Sequence, residues 1–376
     1  MDQQLDRETL ARILRAEDVA CLSLSELLGL VKGEITKFLP DGVCQMDPRN
    51  GDRILFTSAR GHRPHDNVPE PSGEPQRERE CAICQGNTTA VVDVTDLSEG
   101  FTFINENLYP ILYPFEAGRS RRPDQEPELQ GRAASGFHFV QWTSSLHDKD
   151  WHNMPLADCV AVVERLAALE RKLLSDSVAL FPAAESWVER SGYRYHGFVS
   201  IIKNYGHLVG GSLAHGHQQI ALSNVLPRRI LDNWRFERER GETFTAYLMR
   251  ENPPDFLVRD YGPAALLVPY FMRRPYDMLL LLKDIGRQHV HELSDAEIAA
   301  VAEGWHDAIR VIRSIMPRIG REIAYNVVTH NGPGAGLYFE FLPYIQEIGG
   351  AEHLGLFICQ GNPEGAAAWL REYLSG

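Results

Sequence analysis

The strongest constraint on the fold is an order of patterns that occurs twice. Leu156 to Leu174 (LADCVAVVERLAALERKLL) repeats apolar residues every three or four positions, which predicts an amphipathic helix. Strand-like segments follow at His196 to Lys203 (HGFVSIIK) and, after a glycine-rich turn, at Gln218 to Leu222. The second half runs the same way in outline. Strand-like AALLVPY and MLLLLK precede a helix whose entry, Ser294-Asp295-Ala296-Glu297, reads as a capping box. YNVVTHN and YFEFLPYI then read as strands, and a last helix lies near Pro363 to Tyr373. Strand, helix, strand, strand in each half predicts an internally duplicated α+β protein. Upstream, Leu10, Ile13 and Leu14, then Leu24, Leu27, Leu28 and Val31, predict two short amphipathic helices within 6–38, a packing extension. A turn at Asn50-Gly51 leads into a strand from Arg53 to Thr57, and polar loops are expected over 64–80 and 118–136.

With 44% hydrophobic and 24% charged residues the chain can bury a core and is expected to fold by itself. Its 38 basic against 51 acidic side chains give a net charge of −13, with no long basic run, which argues against a nucleic-acid or anionic-membrane surface but not against a local anion pocket. No stretch reaches the roughly 18 apolar residues of a membrane-spanning helix, and MDQQLDRETL lacks a basic region followed by an apolar one, so a cytoplasmic location is expected. Six cysteines are too few for a disulfide scaffold. Cys21, Cys44, Cys159 and Cys359 read as small apolar fillers, and only Cys81 and Cys84 are close enough to act together.

Three constellations carry chemistry. In GGSLAHGHQQ, alternate side chains on an extended backbone share a face, so His215, His217 and Gln219 are expected to project into one site. In CAICQGN, Cys81 and Cys84 supply half of a tetrahedral zinc site; His147 and His215 are candidates for the rest, with His152 as an alternative third ligand. A CxxC is also compatible with a redox pair, although no thioredoxin-like βαβ pattern accompanies it. Arg60 and Arg63, three residues apart at a strand end, have the chemistry to clamp a diphosphate.

Taken in order, five segments resemble the galactose-1-phosphate uridylyltransferase family, the transferase branch of the histidine-triad superfamily. They are DPRNGDRILFTSARGHRPHD, CAICQGN, NENLYPIL, KNYGHLVGGSLAHGHQQ and AYNVVTHNGP, and the likeness extends through most of the chain after about residue 44. The resemblance implies two tandem histidine-triad-like half-domains, each an antiparallel sheet packed with helices. They would occupy 45–235 and 236–376, behind an N-terminal helical extension over 1–44. It implies that His217 is the nucleophile, attacking the α-phosphorus of a nucleoside diphosphate sugar to form a nucleotidyl-histidine, from which a sugar 1-phosphate takes the nucleotide. UMP transfer between UDP-glucose and a hexose 1-phosphate is the leading expectation. The family's metal ligands fall on Cys81, Cys84, His147 and His215, a structural Zn²⁺ site. Arg60, Arg63, Asn204, Gly210 and Ser212 would hold phosphate oxygens, Asn107 and Tyr109 would line the nucleoside pocket, and a homodimer fits the family.

Gln219 has a logic of its own. Hydrolytic histidine-triad proteins carry a histidine there, able to handle a proton, whereas a neutral amide donates hydrogen bonds to phosphoryl oxygens. A sugar phosphate leaves as an anion without protonation, so Gln219 favours transfer over hydrolysis. The chain departs from the family pattern at Gly216, where His-Pro-His is usual, and at Tyr338-Phe339-Glu340, where many members read His-x-His, so a second metal site is not expected. GGAEHLGLFICQGN matches the sugar-phosphate-binding stretch only loosely, so the acceptor need not be galactose 1-phosphate. A phosphorylase of ADP-sugars or dinucleoside polyphosphates and a catalytically idle nucleotide-binding relative are the alternatives.

Overall fold

The computed structural model describes residues 4–47, 51–64, 81–115, 132–181 and 196–375. Most of the two expected polar loops, and Asn50 of the expected turn, lie outside these residues. Helices α1 (Arg7–Ile13) and α2 (Leu24–Glu34) form the extension, followed by β1 (Val43–Met46) and β2 (Arg53–Phe56). Strands β3 (Val91–Asp96), β4 (Phe101–Glu106), β5 (Arg132–Ala133) and β6 (Gly136–Trp142) lead to helix α3 (Leu156–Leu180), then β7 (Phe198–Tyr205) and β8 (His217–Ser223). After α4 (Arg228–Arg240) and α5 (Phe244–Glu251) come β9 (Leu257–Asp260), β10 (Ala264–Leu267), β11 (Met278–Leu282), helix α6 (Asp295–Arg318), β12 (Tyr325–His330) and β13 (Tyr338–Pro343). Two helices, α7 (Gly350–His353) and α8 (Pro363–Ser375), close the chain.

The fold is α+β. Ten strands form one antiparallel sheet in the order β3-β4-β6-β8-β7-β12-β13-β11-β10-β9, and β2-β1-β5 form a small second sheet. Three strands, a helix and two strands occur in each half, and the spatial order β3-β4-β6-β8-β7 is mirrored by β9-β10-β11-β13-β12. The halves meet where β7 pairs with β12, Ile202 opposite Val328 and Asn204 opposite Asn326.

One face of the sheet is covered by α3 and α6. Val162, Leu166 and Leu169 of α3 and Ile309 and Ile312 of α6 are buried with Phe137, Phe139, Ile220, Phe339 and Phe341 from the strands. Each such side chain contributes about 1.5–3 kcal/mol by leaving water, so this apolar layer fixes the strands from behind. Trp151 and Trp305 meet across it with ring centroids 4.8 Å apart. The capping box forms as its residues predict: the Ser294 hydroxyl accepts from the Glu297 N–H, and the Glu297 carboxylate accepts from the Ser294 N–H at 2.8 Å. The other face carries the polar side chains of the site.

Candidate active site and metal centre

Strand β8 is buried along its whole length. Its alternation carries His217 and Gln219 to the uncovered face, where they line a cavity of about 260 Å³ together with Arg60, Arg63 and Ser212. Asn107 and Tyr109 line the same cavity. His215 does not, because the strand begins only at His217; His215 lies in the bend before it, where period-two alternation no longer applies, and points to the two cysteines instead. Asn204 and Gly210 are not part of the cavity wall either. The Asn204 side-chain oxygen accepts from the Asn326 amide at 2.7 Å and so ties β7 to β12. Gly210 ends a short helical turn at φ +84°, a conformation suited to glycine.

The geometry gives His217 one free nitrogen. Its Nδ1–H donates to the His215 carbonyl at 2.8 Å, which leaves the Nε2 lone pair unprotonated. Burial lowers its pKa to about 4, so the ring is neutral near pH 7. Trp142, directly opposite on β6, packs on the imidazole at a centroid distance of 4.9 Å, while its indole N–H is held by Asn105 at 2.6 Å.

Gln219 is oriented by a residue the sequence reading did not single out. The Nδ1 of His138 accepts the Ile111 N–H at 3.1 Å, so Nε2 carries the proton and donates to the Gln219 side-chain oxygen at 3.1 Å. The amide NH₂ of Gln219 is thereby the end available to a ligand. Burial, with Arg60 nearby, lowers the His138 pKa to about 3 and keeps that ring neutral. Arg60 donates to the Tyr109 carbonyl at 2.5 Å; burial and the charge of Arg63 lower its pKa only to about 10, so it stays cationic. Glu106 lines the cavity too, with a carboxyl that burial pushes up to about 9.

Behind the strand sits a buried ion pair that was likewise not anticipated. Lys203 on β7 places its Nζ 2.8 Å from Asp150 Oδ2 and donates to the His217 carbonyl at 3.2 Å. Asp150 also accepts from the Thr143 hydroxyl and the Trp151 N–H, each at 2.9 Å. This group explains Gly216: a Cβ there would lie 2.6 Å from the Asp150 carboxyl carbon and 2.7 Å from Thr143 Oγ1. Glycine is what lets the carboxylate press against the backbone between the two histidines.

Cys81, Cys84, His147 and His215 bring their ligand atoms within 4.8 Å of one another. The Cys81 and Cys84 sulfurs lie 3.7 and 3.6 Å from His215 Nδ1, and Cys84 lies 3.8 Å from His147 Nδ1. His215 Nε2–H donates to the Ser144 carbonyl at 2.8 Å, which leaves Nδ1 as the ligand atom, the outer-shell support that metal-binding histidines need. The donor set and spacing therefore fit a tetrahedral ion. His147 completes this set, and His152 is not part of it. The extension packs over the centre: Leu5 and Leu10 are buried with Cys81 and Ile83, and the Leu5 N–H donates to the Ser145 carbonyl.

The site thus consists of an antiparallel sheet split into two like halves, a buried His-x-His-x-Gln at the entry and start of β8, and a Cys₂His₂ cluster beside it. The comparisons find similar proteins among galactose-1-phosphate uridylyltransferases and an ADP-glucose phosphorylase. The chain is 23% identical to the ADP-glucose phosphorylase of Arabidopsis thaliana over 354 residues, covering 87% of this chain and 91% of that protein. It is 24% identical to the galactose-1-phosphate uridylyltransferase of Neurospora crassa over 295 residues, covering 70% and 74%. A solved uridylyltransferase shares the fold with a TM-score of 0.67 at 20% identity, over 89% of this chain and 98% of its own. No family model matches. Among the described residues, no helix is long and apolar enough to cross a membrane.

Proposed function

We propose that this protein is a nucleotidyltransferase working through His217. The observation that carries the reading is the neutral His217 ring, its Nδ1–H tied to a backbone carbonyl and its Nε2 free in a cavity with two arginines. Nε2 attacks the α-phosphorus of a nucleoside diphosphate sugar; the P–N bond forms as the bond to the bridging oxygen breaks, and sugar 1-phosphate leaves with the electron pair. An acceptor phosphate oxygen then attacks the same phosphorus and restores the histidine. Gln219 donates its amide hydrogens to the phosphoryl oxygens as charge develops there, and Arg60 and Arg63 balance the diphosphate. Asn107 and Tyr109 take the nucleoside. Asn204 in β7 and Gly210 in the turn after it act on the phosphate side by shaping the backbone that leads to β8.

Cys81, Cys84, His147 and His215 would hold zinc. With all four as its ligands the ion would add rigidity to the segment entering β8 and would supply no reactive water.

The donor we assign first is a UDP-sugar and the acceptor a hexose 1-phosphate, in line with the uridylyltransferase relatives. A second reading, an ADP-sugar donor with inorganic phosphate as acceptor, is supported by the length of the match to the ADP-glucose phosphorylase. Turnover of UDP-glucose and of ADP-glucose, each with galactose 1-phosphate and with inorganic phosphate, separates them. UDP-glucose consumption that requires the sugar phosphate supports the first, and ADP-glucose consumption that requires inorganic phosphate supports the second. No turnover by folded, zinc-loaded protein with any combination refutes both.

A further inference from the structure

The N-terminal extension does more than pack. Ile35, the C-cap of α2, is 1% exposed, and its N–H donates to the Val31 carbonyl at 3.0 Å, so the chain leaves the helix from a fixed point. The residues that follow, 36–41, make contact with two parts of the cavity around His217.

Phe38 meets the first of them. Its ring lies against that of Tyr109, with centroids 4.2 Å apart and planes tilted by 33°. Tyr109 lines the cavity and Phe38 does not, so the phenylalanine backs the tyrosine from outside. The Tyr109 backbone is held by other groups: its N–H donates to the Asn107 side-chain oxygen at 2.9 Å, and its carbonyl accepts from Arg60. Those bonds fix the backbone and not the ring. A ring already ordered by its neighbour loses little freedom when a ligand stacks on it, which is worth affinity.

Asp41 meets the second part. A short helical turn, Ser58–His62, carries Arg60, and Arg63 follows it directly. Thr57, at the N-cap position of that turn, makes no capping hydrogen bond with its side chain. The Asp41 carboxylate takes the role from outside, accepting the Ser58 N–H at 2.8 Å and the Ser58 hydroxyl at 3.0 Å. The Asp41 N–H in turn donates to the Phe56 carbonyl at 3.2 Å, which ties it to the end of β2. One short stretch of chain thus braces both the tyrosine and the turn that bears the arginine.

We propose that 36–41 is a strap that pre-forms the nucleotide site, with Phe38 and Asp41 as positioning residues. Phe38 raises affinity for the nucleoside by holding Tyr109, and Asp41 raises affinity for the phosphates by holding the turn that carries Arg60. Both act on binding and not on the covalent step at His217. The proposal rests on the reading of this cavity as a nucleotide site.

Titration calorimetry on the full chain tests it, with UMP, AMP and inorganic pyrophosphate as probes and thermal melting to verify that each variant is folded. The wild type should bind pyrophosphate and at least one of the nucleotides. Phe38→Ala should weaken the nucleotide about threefold to tenfold, the range of one aromatic contact, and leave pyrophosphate unchanged. Phe38→Tyr, which keeps a ring, should restore the nucleotide. Asp41→Ala should weaken nucleotide and pyrophosphate alike. Leu27→Ala, at a buried position of α2 that makes neither contact, should leave both affinities in place. With a nucleotide sugar that turns over, Phe38→Ala should raise KM by the same factor with kcat unchanged. Wild-type nucleotide affinity in Phe38→Ala, an equal loss of pyrophosphate in that variant, or the same losses in Leu27→Ala overturns the proposal. Wild-type protein that binds a nucleotide but not pyrophosphate, or Asp41→Ala that binds both normally, overturns the role of Asp41. Wild-type protein that binds neither nucleotide overturns the reading of the cavity itself, and the strap with it.

Discussion

Replacing Lys203 by methionine removes the only cation beside the buried Asp150 carboxylate that the described residues supply within 4 Å. At 2.8 Å the gross attraction of the pair is about 6 kcal/mol in an effective dielectric of about 20. Most of that is offset by desolvating both charges, yet removing one partner leaves the other buried and uncompensated, which costs about 3–5 kcal/mol. Asp150 keeps its bonds from Thr143 and Trp151, so Lys203→Met belongs at the lower end, near 3 kcal/mol. Urea unfolding of the wild type, Lys203→Met, Asp150→Asn and the double variant measures it. Lys203→Met/Asp150→Asn, with no charge left to compensate, should recover most of the loss. The wild-type pair also holds the His217 carbonyl, so both variants lacking Lys203 should form a nucleotidyl adduct more slowly than the wild type at temperatures where all are folded. A cost below about 1 kcal/mol for Lys203→Met, or strict additivity of the two substitutions, refutes the reasoning.

Gly216→Ala drives a methyl group into the Asp150 carboxylate and is expected to cost about 1–3 kcal/mol, the usual penalty of overpacking; a wild-type melting temperature would contradict the contact. Cys84→Ser should lower bound zinc from one ion per chain to well below one and lower the melting temperature, both measured on protein purified without chelator; unchanged metal content would dismiss the site. Stability should fall as pH drops below about 6.5, because burial depresses His138 to about 3 and His152 to about 4 while both titrate normally once unfolded. The unfolded chain then binds more protons, and each histidine removes up to about 1.4 kcal/mol per pH unit between its two pKa values. Urea midpoints that stay constant between pH 7 and pH 5 would show that these rings are not held neutral.

The halves of the fold were legible because their long helices and apolar strands carry strong periodicities. Helix α4 was not, since RRILDNWRFERER keeps only Ile230, Asn233 and Trp234 buried and is otherwise charged, too thin a stripe to read without its partners. The Cys81, Cys84, His215, His217 and Gln219 positions could be read because each motif is local. His138, Lys203 and Asp150 escaped for the opposite reason. His138 meets Gln219 only through the register of β6 on β8, and Lys203 reaches Asp150 across 53 positions of sequence. A signal existed: a histidine and a glutamine inside GFHFVQW, and a lysine ending FVSIIK, are polar residues in strands otherwise made for burial. The direction of His215 was misjudged because alternation was carried back past the start of β8.

The central claim is the covalent step, and intact-mass measurement of the protein incubated with UDP-glucose or ADP-glucose and no acceptor tests it most directly. The wild type should gain one nucleoside monophosphate from the donor it accepts and lose it when the matching phosphate acceptor is added, while folded His217→Asn gains nothing. An adduct that persists in His217→Asn, or none with either donor on zinc-loaded wild-type protein, contradicts it.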